Sequence, residues 1–472
     1  MKKRKLLLSL ASIATVLGTV VTLSGCSRGA LPNFEIPEDF SVETFLNTDI
    51  DITFYSTMGT DLKKTFDEGA IAAFNEKYPN IHVNHTSEGG YDDVRDKIAT
   101  EISAGNAPSM AYCYPDHVAL YNLASAVVTL DDLLNDTTYK DEDGSLLFGL
   151  TDEEKDDFVP GFWNEGKSFG DDLMYTLPFS KSTEILYYNK TVFDSLNLQV
   201  PTTWDEMETV CDTLKKEYPD ATPLGYDSDA NWFITMCEQM KIPYTSASGE
   251  NPEDHFLFNN SKAEEFLNKI KTWRDKGWVE TQGTYGSYTS GLFVSTEGAR
   301  SFMTIGSSAG ASHQIPTPTN EVYPFEVGVA AIPQYDATNK KVISQGPSIC
   351  IFKNSDPNKV LASYLFLKFI TTDVASQGEF GIASGYVPVI KSVSDNDVYK
   401  THMGKTGTAN LTAMAANLCN QMAEYYFTSP AFPGSSDARD EVGQALTAVL
   451  NGTKTAKQAL QDAYDQCEYK NS

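Results

Sequence analysis

The sequence lacks the motifs that mark metal and redox centres. Its seven cysteines include no CxxC pair, and its six histidines form no HExxH motif. The ligand spacing of a zinc site is therefore absent, and we predict neither a metal nor a cofactor. Apart from Cys26, the cysteines lie far apart in the chain, and we expect them to be buried free thiols.

Basic residues are scarce. The chain has 36 Lys and Arg against 64 Asp and Glu, which gives a formal net charge of −28 at pH 7. A chain this acidic repels phosphate backbones, so the composition argues against nucleic acid as a partner. The acidic residues are dispersed along the chain, as expected of a solvated surface.

Only one long apolar run is present. It spans residues 6–23, follows four basic residues at 2–5 and ends in Leu23-Ser-Gly-Cys26. A basic start, an apolar stretch and small residues before a cleavage point indicate an export signal over residues 1–25. A transmembrane anchor is the competing interpretation, because the run is near the ~18-residue minimum for a span. Small and hydroxylated residues such as Ser9, Ser12 and Gly18 weaken that alternative.

The Leu-Ser-Gly-Cys segment resembles the bacterial lipobox, in which the cysteine receives lipid and becomes the mature N-terminus. This resemblance implies lipidation at Cys26 and attachment to the outer face of the cell membrane, or to its periplasmic side. The stretch that follows contains two prolines and few periodic apolar residues. We predict that residues 26–49 form a tether between the lipid and the folded part.

Strand-like and helical patterns alternate after the tether. Residues 51–55, 81–83 and 110–114 read as strands, and segments 61–78 and 91–104 between them read as helices. The alternation of helices and strands continues along the chain. We predict helices over 204–216, 262–276, 357–370 and 441–450, and strands over 327–332 and 348–352. This alternation predicts an α/β fold in which helices cover mostly parallel sheets.

Several motifs in a fixed order carry a family resemblance across residues 51–469. They include Ala104-Gly-Asn-Ala-Pro108, Leu177-Pro-Phe-Ser-Lys-Ser-Thr183, Pro201-Thr-Thr-Trp-Asp-Glu206, Met303-Thr-Ile-Gly-Ser-Ser308 and Ser384-Gly-Tyr-Val-Pro388. The chain resembles the extracellular solute-binding proteins of ABC importers, specifically the sugar-binding family that includes maltose- and glycerol-3-phosphate-binding proteins. The resemblance implies a non-enzymatic, monomeric protein that closes on a sugar, oligosaccharide or polyol and delivers it to a membrane permease.

The family fold implies a two-lobe periplasmic-binding-protein architecture of type II. Carried over to this chain, residues 50–180 and 307–370 form the first lobe, and residues 181–306 and 371–472 form the second. The crossings between lobes are expected at 180–186, 304–308 and 370–373.

Polar and aromatic side chains follow the first three predicted strands, where an open α/β sheet binds its ligand. Tyr55 and Ser56 follow the first strand, Tyr91 follows the second and Asp116 follows the third. Each could equally be an ordinary loop residue. The resemblance adds Ser182, Trp232, Ser307, Ser308, Gly346 and Tyr386 as ligand contacts. For Trp232 the competing interpretation is a core tryptophan, and for Ser182 it is a structural serine of the hinge.

Arg439 lies where the glycerol-3-phosphate-binding branch places an arginine on the phosphate. A guanidinium fork suits that anion, so glycerol 3-phosphate or a similar anionic ligand is the alternative to a neutral sugar. The competing role for Arg439 is a surface salt bridge with Asp440 or Glu441.

Two other functional classes remain as alternatives. A secreted glycoside hydrolase needs two facing carboxyl groups, and the many acidic residues supply chance pairs without a recognisable catalytic set. A surface adhesin is the other alternative, and it predicts no closure around a small molecule.

Overall fold

A computed structural model of the chain describes residues 33–141, 143–249 and 251–470. The predicted signal peptide and Cys26 lie outside these residues. Within them, no helix combines the length and the apolar character needed to cross a membrane.

The strands build two five-stranded sheets and two short two-stranded ones. In chain order they are β1 Ile50–Ser56, β2 Ile81–Ser87, β3 Met110–Cys113, β4 Leu177–Pro178, β5 Ser180–Lys181, β6 Glu184–Asn189, β7 Leu224–Tyr226, β8 Val279–Thr281, β9 Met303–Ser307, β10 Val327–Ala331, β11 Val342–Ile343, β12 Ser348–Ile351, β13 Val387–Pro388 and β14 Tyr426–Phe427. The first sheet has the order β2-β1-β3-β12-β4 and the second β10-β6-β9-β7-β8.

Helices cover both sheets. The longer ones are Tyr91–Ala104, Pro115–Asn122, Trp204–Glu217, Asp229–Met240, Ser261–Asp275, Pro357–Thr372, Val374–Ser384, Leu411–Gln421, Ser435–Leu450 and Ala456–Lys470. A composite helix, Thr60–Phe66, Asp67–Ile71 and Ala72–Lys77, fills the first crossover, and its middle part is π-helical. The predicted two-lobe α/β architecture is confirmed.

The first sheet gathers the parallel strands that the sequence pattern indicates. β1 pairs in parallel with both β2 and β3, and β12 joins β3 antiparallel. Along β1, Ile50, Ile52 and Phe54 alternate with less buried residues and point into the core. This period of two is what a sheet covered on one face requires.

Sheet membership places the lobe crossings differently from the prediction. The chain first passes from one sheet to the other between β4 and β6. The second crossing was predicted at 304–308, but β9 and β10 both belong to the second sheet, and the chain returns to the first sheet only at β12. A crossing at 370–373 also differs from the structure, because the helices Pro357–Thr372 and Val374–Ser384 both contact elements of the first lobe.

The N-terminal stretch is folded for more of its length than a tether over 26–49 implies. A short helix, Val42–Leu46, packs the buried side chain of Phe45 into the first lobe. Phe40 contacts Phe45, Tyr139 and Phe148 at ring-centroid distances of 5.5, 4.9 and 5.6 Å. The stretch from Phe34 onward is therefore part of the first lobe.

Candidate functional site

Two cavities lie between the sheets and are lined by elements of both lobes. The larger encloses about 690 Å³ and the smaller about 250 Å³. Tyr91, Tyr114 and Gln345 line both, so the two cavities adjoin. We refer to them together as the cleft.

Six of the predicted contact residues line the cleft. Tyr91, Ser182, Ser307 and Tyr386 line the larger cavity, and Tyr91, Asp116 and Arg439 line the smaller one. The hydroxyl groups of Tyr91 and Tyr386 are 3.4 Å apart, although the residues are separated by 295 positions in the chain. The ring of Tyr114 packs on that of Tyr91 with centroids 4.6 Å apart. These three tyrosines give the cleft an aromatic wall.

The two predicted serines meet at the start of the second sheet. β6 pairs with β9 so that Glu184 lies opposite Ser307. The Ser307 hydroxyl is 3.5 Å from that of Ser182, whose backbone amide donates to the carbonyl of Gln345 at 2.9 Å. The first crossing therefore brings a pair of hydroxyl groups to the edge of the larger cavity.

Arg439 is part of the second lobe. It lies in the first turns of the helix Ser435–Leu450, which begins six residues before the predicted helix at 441–450. Its guanidinium donates to Oδ1 of Asn231. The predicted competing salt bridges with Asp440 and Glu441 do not form within the part of the chain that the structure describes, where Glu441 pairs with Lys470 at 3.0 Å.

Tyr55 and Ser56 line neither cavity. The Tyr55 ring lies under the Lys97 ammonium at 4.4 Å, and its hydroxyl donates to Glu101 at 3.3 Å. Ser56 is fully buried and hydrogen bonded to Nε2 of His85 at 2.7 Å. The two residues were predicted to follow the first strand, but they are the last two residues of β1, and neither side chain lines the cleft.

Ser56, His85 and Asp67 form a hydrogen-bonded chain of the kind found in serine hydrolases. Asp67 Oδ1 lies 2.6 Å from His85 Nδ1, and burial lowers the pKa of His85. The neutral ring thus donates to Asp67 and accepts from Ser56, which itself accepts from the Met58 amide at 3.2 Å. Since no solvent reaches Ser56, we interpret the chain as a support for the loop after β1.

Trp232, Ser308 and Gly346 also lie behind the cleft surface. Trp232 is fully buried and stacks on Tyr226 with centroids 4.6 Å apart and ring planes 9° apart. This geometry supports the competing core interpretation of that residue. Gly346 has a positive φ of 88°, and a Cβ there would lie 2.4 Å from the carbonyl oxygen of Ser180. It serves close packing of two crossing segments.

The stretch 306–310 reads Gly-Ser-Ser-Ala-Gly and matches the G-x-S-x-G pattern of hydrolase nucleophiles. Its central Ser308 is fully buried, and its hydroxyl accepts from the Thr183 amide at 3.3 Å. Within the described residues, no histidine is hydrogen bonded to it. The geometry is that of a structural serine.

Two carboxyl groups that line the larger cavity were not predicted from the sequence. Glu184 accepts a hydrogen bond of 2.5 Å from the Tyr226 hydroxyl, and burial raises the pKa of Glu184 to about 7. Asp227 accepts from the backbone and the hydroxyl of Thr289, each at 2.6 Å, and burial raises its pKa as well. No neighbouring sequence pattern marks a single Glu or Asp at the end of a strand as part of a cavity wall. Only the fold shows that Glu184 and Asp227 line the cavity.

A buried ion pair forms the floor of the smaller cavity. Lys181 of the first crossing contacts Glu165, and both side chains are almost completely buried. Lys181 also donates to the Gly346 carbonyl at 3.1 Å and to Ser348 at 3.0 Å. Glu165 accepts from Ser344 at 2.8 Å and from Thr428 at 3.2 Å. We call these residues the hinge network, because they join several segments that run between the lobes.

Comparison with known proteins gives one consistent family. A family model described as bacterial extracellular solute-binding protein matches residues 69–406. The sn-glycerol-3-phosphate-binding periplasmic protein UgpB of Escherichia coli K12 is 24% identical over 431 residues, covering 88% of this chain and 91% of that protein.

Solved structures of similar fold cover nearly the whole described chain. The GacH receptor of Streptomyces glaucescens, studied with acarbose, superposes with a TM-score of 0.69 at 15% identity, covering 90% of this chain and 98% of that one. UgpB of Mycobacterium tuberculosis, in complex with glycerophosphocholine, gives 0.68 at 16% identity, with 89% and 98% covered. The substrate-binding protein Lmo0181 of Listeria monocytogenes, in complex with cycloalternan, gives 0.69 at 19% identity, with 89% and 99% covered.

Proposed function

The chain belongs to the bacterial extracellular solute-binding proteins, and from this premise we propose that it captures a sugar, oligosaccharide or polyol in the cleft and delivers it to an ABC permease. The observation that carries the proposal is the cleft between the two sheets, lined from both lobes by tyrosines and hydrogen-bonding side chains. Hinge closure of the lobes buries the ligand, as in periplasmic binding proteins generally. We also propose that the protein acts as a monomer and does not convert the ligand chemically.

The chemistry of the cleft suits a polyhydroxylated solute. Such a ligand needs an aromatic face for its C–H surface and fixed donors and acceptors for its hydroxyl groups. Tyr91, Tyr114 and Tyr386 provide the aromatic wall, and Ser182 and Ser307 provide hydroxyl groups beside it. We propose that these residues, with Asp116 and Arg439, contact the ligand.

A phosphorylated ligand is the second candidate, and the position of Arg439 favours it. Arg439 and Arg95 both line the smaller cavity, and the similar E. coli protein is a glycerol-3-phosphate-binding protein. Against it, the same cavity is lined by four carboxylates, from Asp92, Asp116, Glu165 and Asp440. Like charges disfavour an anion, so we rank the neutral solute first.

Thermal-shift measurements with sugars, polyols and glycerol phosphates test the proposal. A ligand that binds only the folded state stabilises it by about 2.7 kcal/mol at one hundred times its Kd. We expect a neutral sugar or oligosaccharide to raise the melting temperature and small-angle scattering to show a more compact particle with that ligand.

The same panel separates the alternatives. A shift with phosphorylated compounds alone would replace the neutral solute by the anionic one. Binding without compaction would favour an adhesin, and cleavage of a labelled oligosaccharide would identify a hydrolase. If no compound shifted the melting temperature, the carbohydrate proposal would be wrong.

We also propose that lipid on Cys26 holds the protein at the membrane. Replacing Cys26 with alanine is expected to leave the precursor unprocessed or to release the protein into the medium, because the lipid acceptor is lost. Cell fractionation measures the distribution, and calorimetry with the purified protein measures ligand affinity, which should not change. A variant that remains membrane-bound after processing would contradict lipidation at this residue.

A further inference from the structure

The two carboxyl groups of the larger cavity converge on one strand. Glu184 lies opposite Ser307 of β9 in the β6–β9 register. Asp227 donates its backbone amide to Ile305 of β9 at 2.9 Å, and a Cβ on Gly306 would lie 2.6 Å from its Oδ2. The carboxylates therefore flank consecutive residues at the end of β9, and both line the larger cavity.

Neither carboxyl group forms a direct ion pair with a lysine or arginine among the described residues. Tyr226 and Asn231 donate hydrogen bonds to Glu184, Thr289 donates to Asp227, and His313 faces Asp227. Arg439 and Arg95 line the smaller cavity and are absent from the lining of the larger one. Arg439 donates to Asn231 and makes no direct contact with Glu184 among the described residues, although its charge favours the ionised form of that carboxyl group. A buried carboxylate without a cation is costly, so this charge is available to a ligand.

A second, independent feature of the cavity also requires a donor. Gln314 is 2% exposed and lines the larger cavity, and its Oε1 has no hydrogen-bond partner. Buried side-chain oxygens are nearly always satisfied, so an unpartnered one at a cavity wall marks a position for a ligand donor. Tyr91, Tyr114 and Tyr386 add ring faces that attract cations.

We propose that the larger cavity receives a positively charged group of the solute between Glu184 and Asp227, and that the preferred solutes are hydroxylated compounds bearing a protonated amine, such as amino sugars. This inference rests on the proposed function and narrows its ligand class. An ammonium group carries three donors and a full charge, which matches two carboxylates and a free amide oxygen. The smaller cavity then accommodates the remaining hydroxyl groups.

The inference predicts a particular pH dependence. Burial and the nearby Asp227 raise the pKa of Glu184, while Tyr226, Asn231 and Arg439 lower it, and the net value is about 7. Asp227 also faces His313, which favours its ionised form. Below pH 7 Glu184 binds a proton and loses its charge. The affinity for an amine should therefore rise from pH 5.5 to pH 7, a range in which the amine of glucosamine stays mostly protonated, whereas a neutral analogue gains no such attraction.

Calorimetric titration with matched sugars tests the inference. The probes are glucosamine and its β-1,4-linked dimer, against N-acetylglucosamine, glucose and the acetylated dimer. We expect the amines to bind about tenfold or more tightly than their neutral counterparts at pH 7, as one strong charge-assisted contact implies, and the preference to shrink at pH 5.5. Glu184→Gln and Asp227→Asn should each reduce it, while Asp212→Asn, an exposed carboxylate of the same lobe, should leave it unchanged.

The outcomes separate this inference from the proposed function. Binding of neutral sugars with no preference for the amine, or a preference that does not change between pH 5.5 and pH 7, overturns the proposed site for a charged group and leaves sugar binding intact. No binding of any sugar overturns both. If one variant does not fold, the other variant and the pH comparison on the unmodified protein still decide the result.

Discussion

Replacing Lys181 with methionine is expected to lower the free energy of unfolding by about 3–5 kcal/mol, because it leaves the Glu165 carboxylate buried without its cation. Lys181 is fully buried and Glu165 nearly so. The change also removes donors from the Gly346 carbonyl and from Ser348. Urea unfolding followed by tryptophan fluorescence measures the loss, with scattering on the free protein as a second readout.

Two controls identify the cause. Lys216→Met removes an exposed lysine that pairs with Asp212, and exposed pairs contribute only about 0–1 kcal/mol. The double variant Lys181→Met with Glu165→Leu removes both charges and should recover part of the lost stability. A Lys181→Met variant as stable as the Lys216→Met control would contradict the role of the hinge network.

Replacing Gly346 with alanine is expected to be the second most damaging change, because it adds a methyl group where two crossing segments touch. The new Cβ would lie 2.4 Å from the carbonyl oxygen of Ser180 and 2.9 Å from Cα of Lys181. Both neighbours are backbone atoms, which cannot move aside as a side-chain end can. With the added cost of a positive φ, we expect a loss of about 2–5 kcal/mol and a changed separation of the lobes in scattering.

Gly407 offers a matched control for this change. Its φ of 87° equals that of Gly346 within a degree, but a Cβ there meets no atom within 4 Å. Gly407 has φ 87° and ψ 164°, so Gly407→Ala carries a backbone cost alone, about 1–3 kcal/mol. Equal melting temperatures for the two variants would show that the contact with the first crossing has no effect.

Local patterns predicted most of the strands and helices of the first lobe. The apolar alternation at 51–55 and the glycine after residue 104 are signals that neighbouring residues supply, and β1 and the helix Tyr91–Ala104 follow them closely. The lobe crossings were less predictable. Nothing within β10 itself indicates which sheet it joins, since its partner β6 lies about 140 residues earlier and pairs with it through tertiary packing.

The residues of the candidate site were also only partly predictable from local sequence patterns. The rule that ligands bind beyond the carboxyl ends of strands led to Tyr91 and Asp116, which line the cleft, but it could not tell which way the side chains of Tyr55 and Ser56 point. Glu184, Asp227 and Gln314 come together because β6, β9 and β7, which carry or precede them, lie side by side in the second sheet. An isolated acidic residue in the sequence is far more often solvated surface than cavity wall.

The packing of the N-terminal stretch on the first lobe bears on which lobe moves when the protein closes. With lipid on Cys26 as proposed, residues 26–33 connect the lipid to the folded chain, and eight residues reach at most about 29 Å. From Phe34 onward the chain is joined to the first lobe through Phe40 and Phe45. The proposed lipid on Cys26 would thus hold the first lobe close to the membrane, and closure would move the second lobe, which carries Arg439 and the acidic cavity wall. A short connection to one lobe also limits which faces of the protein can contact a permease.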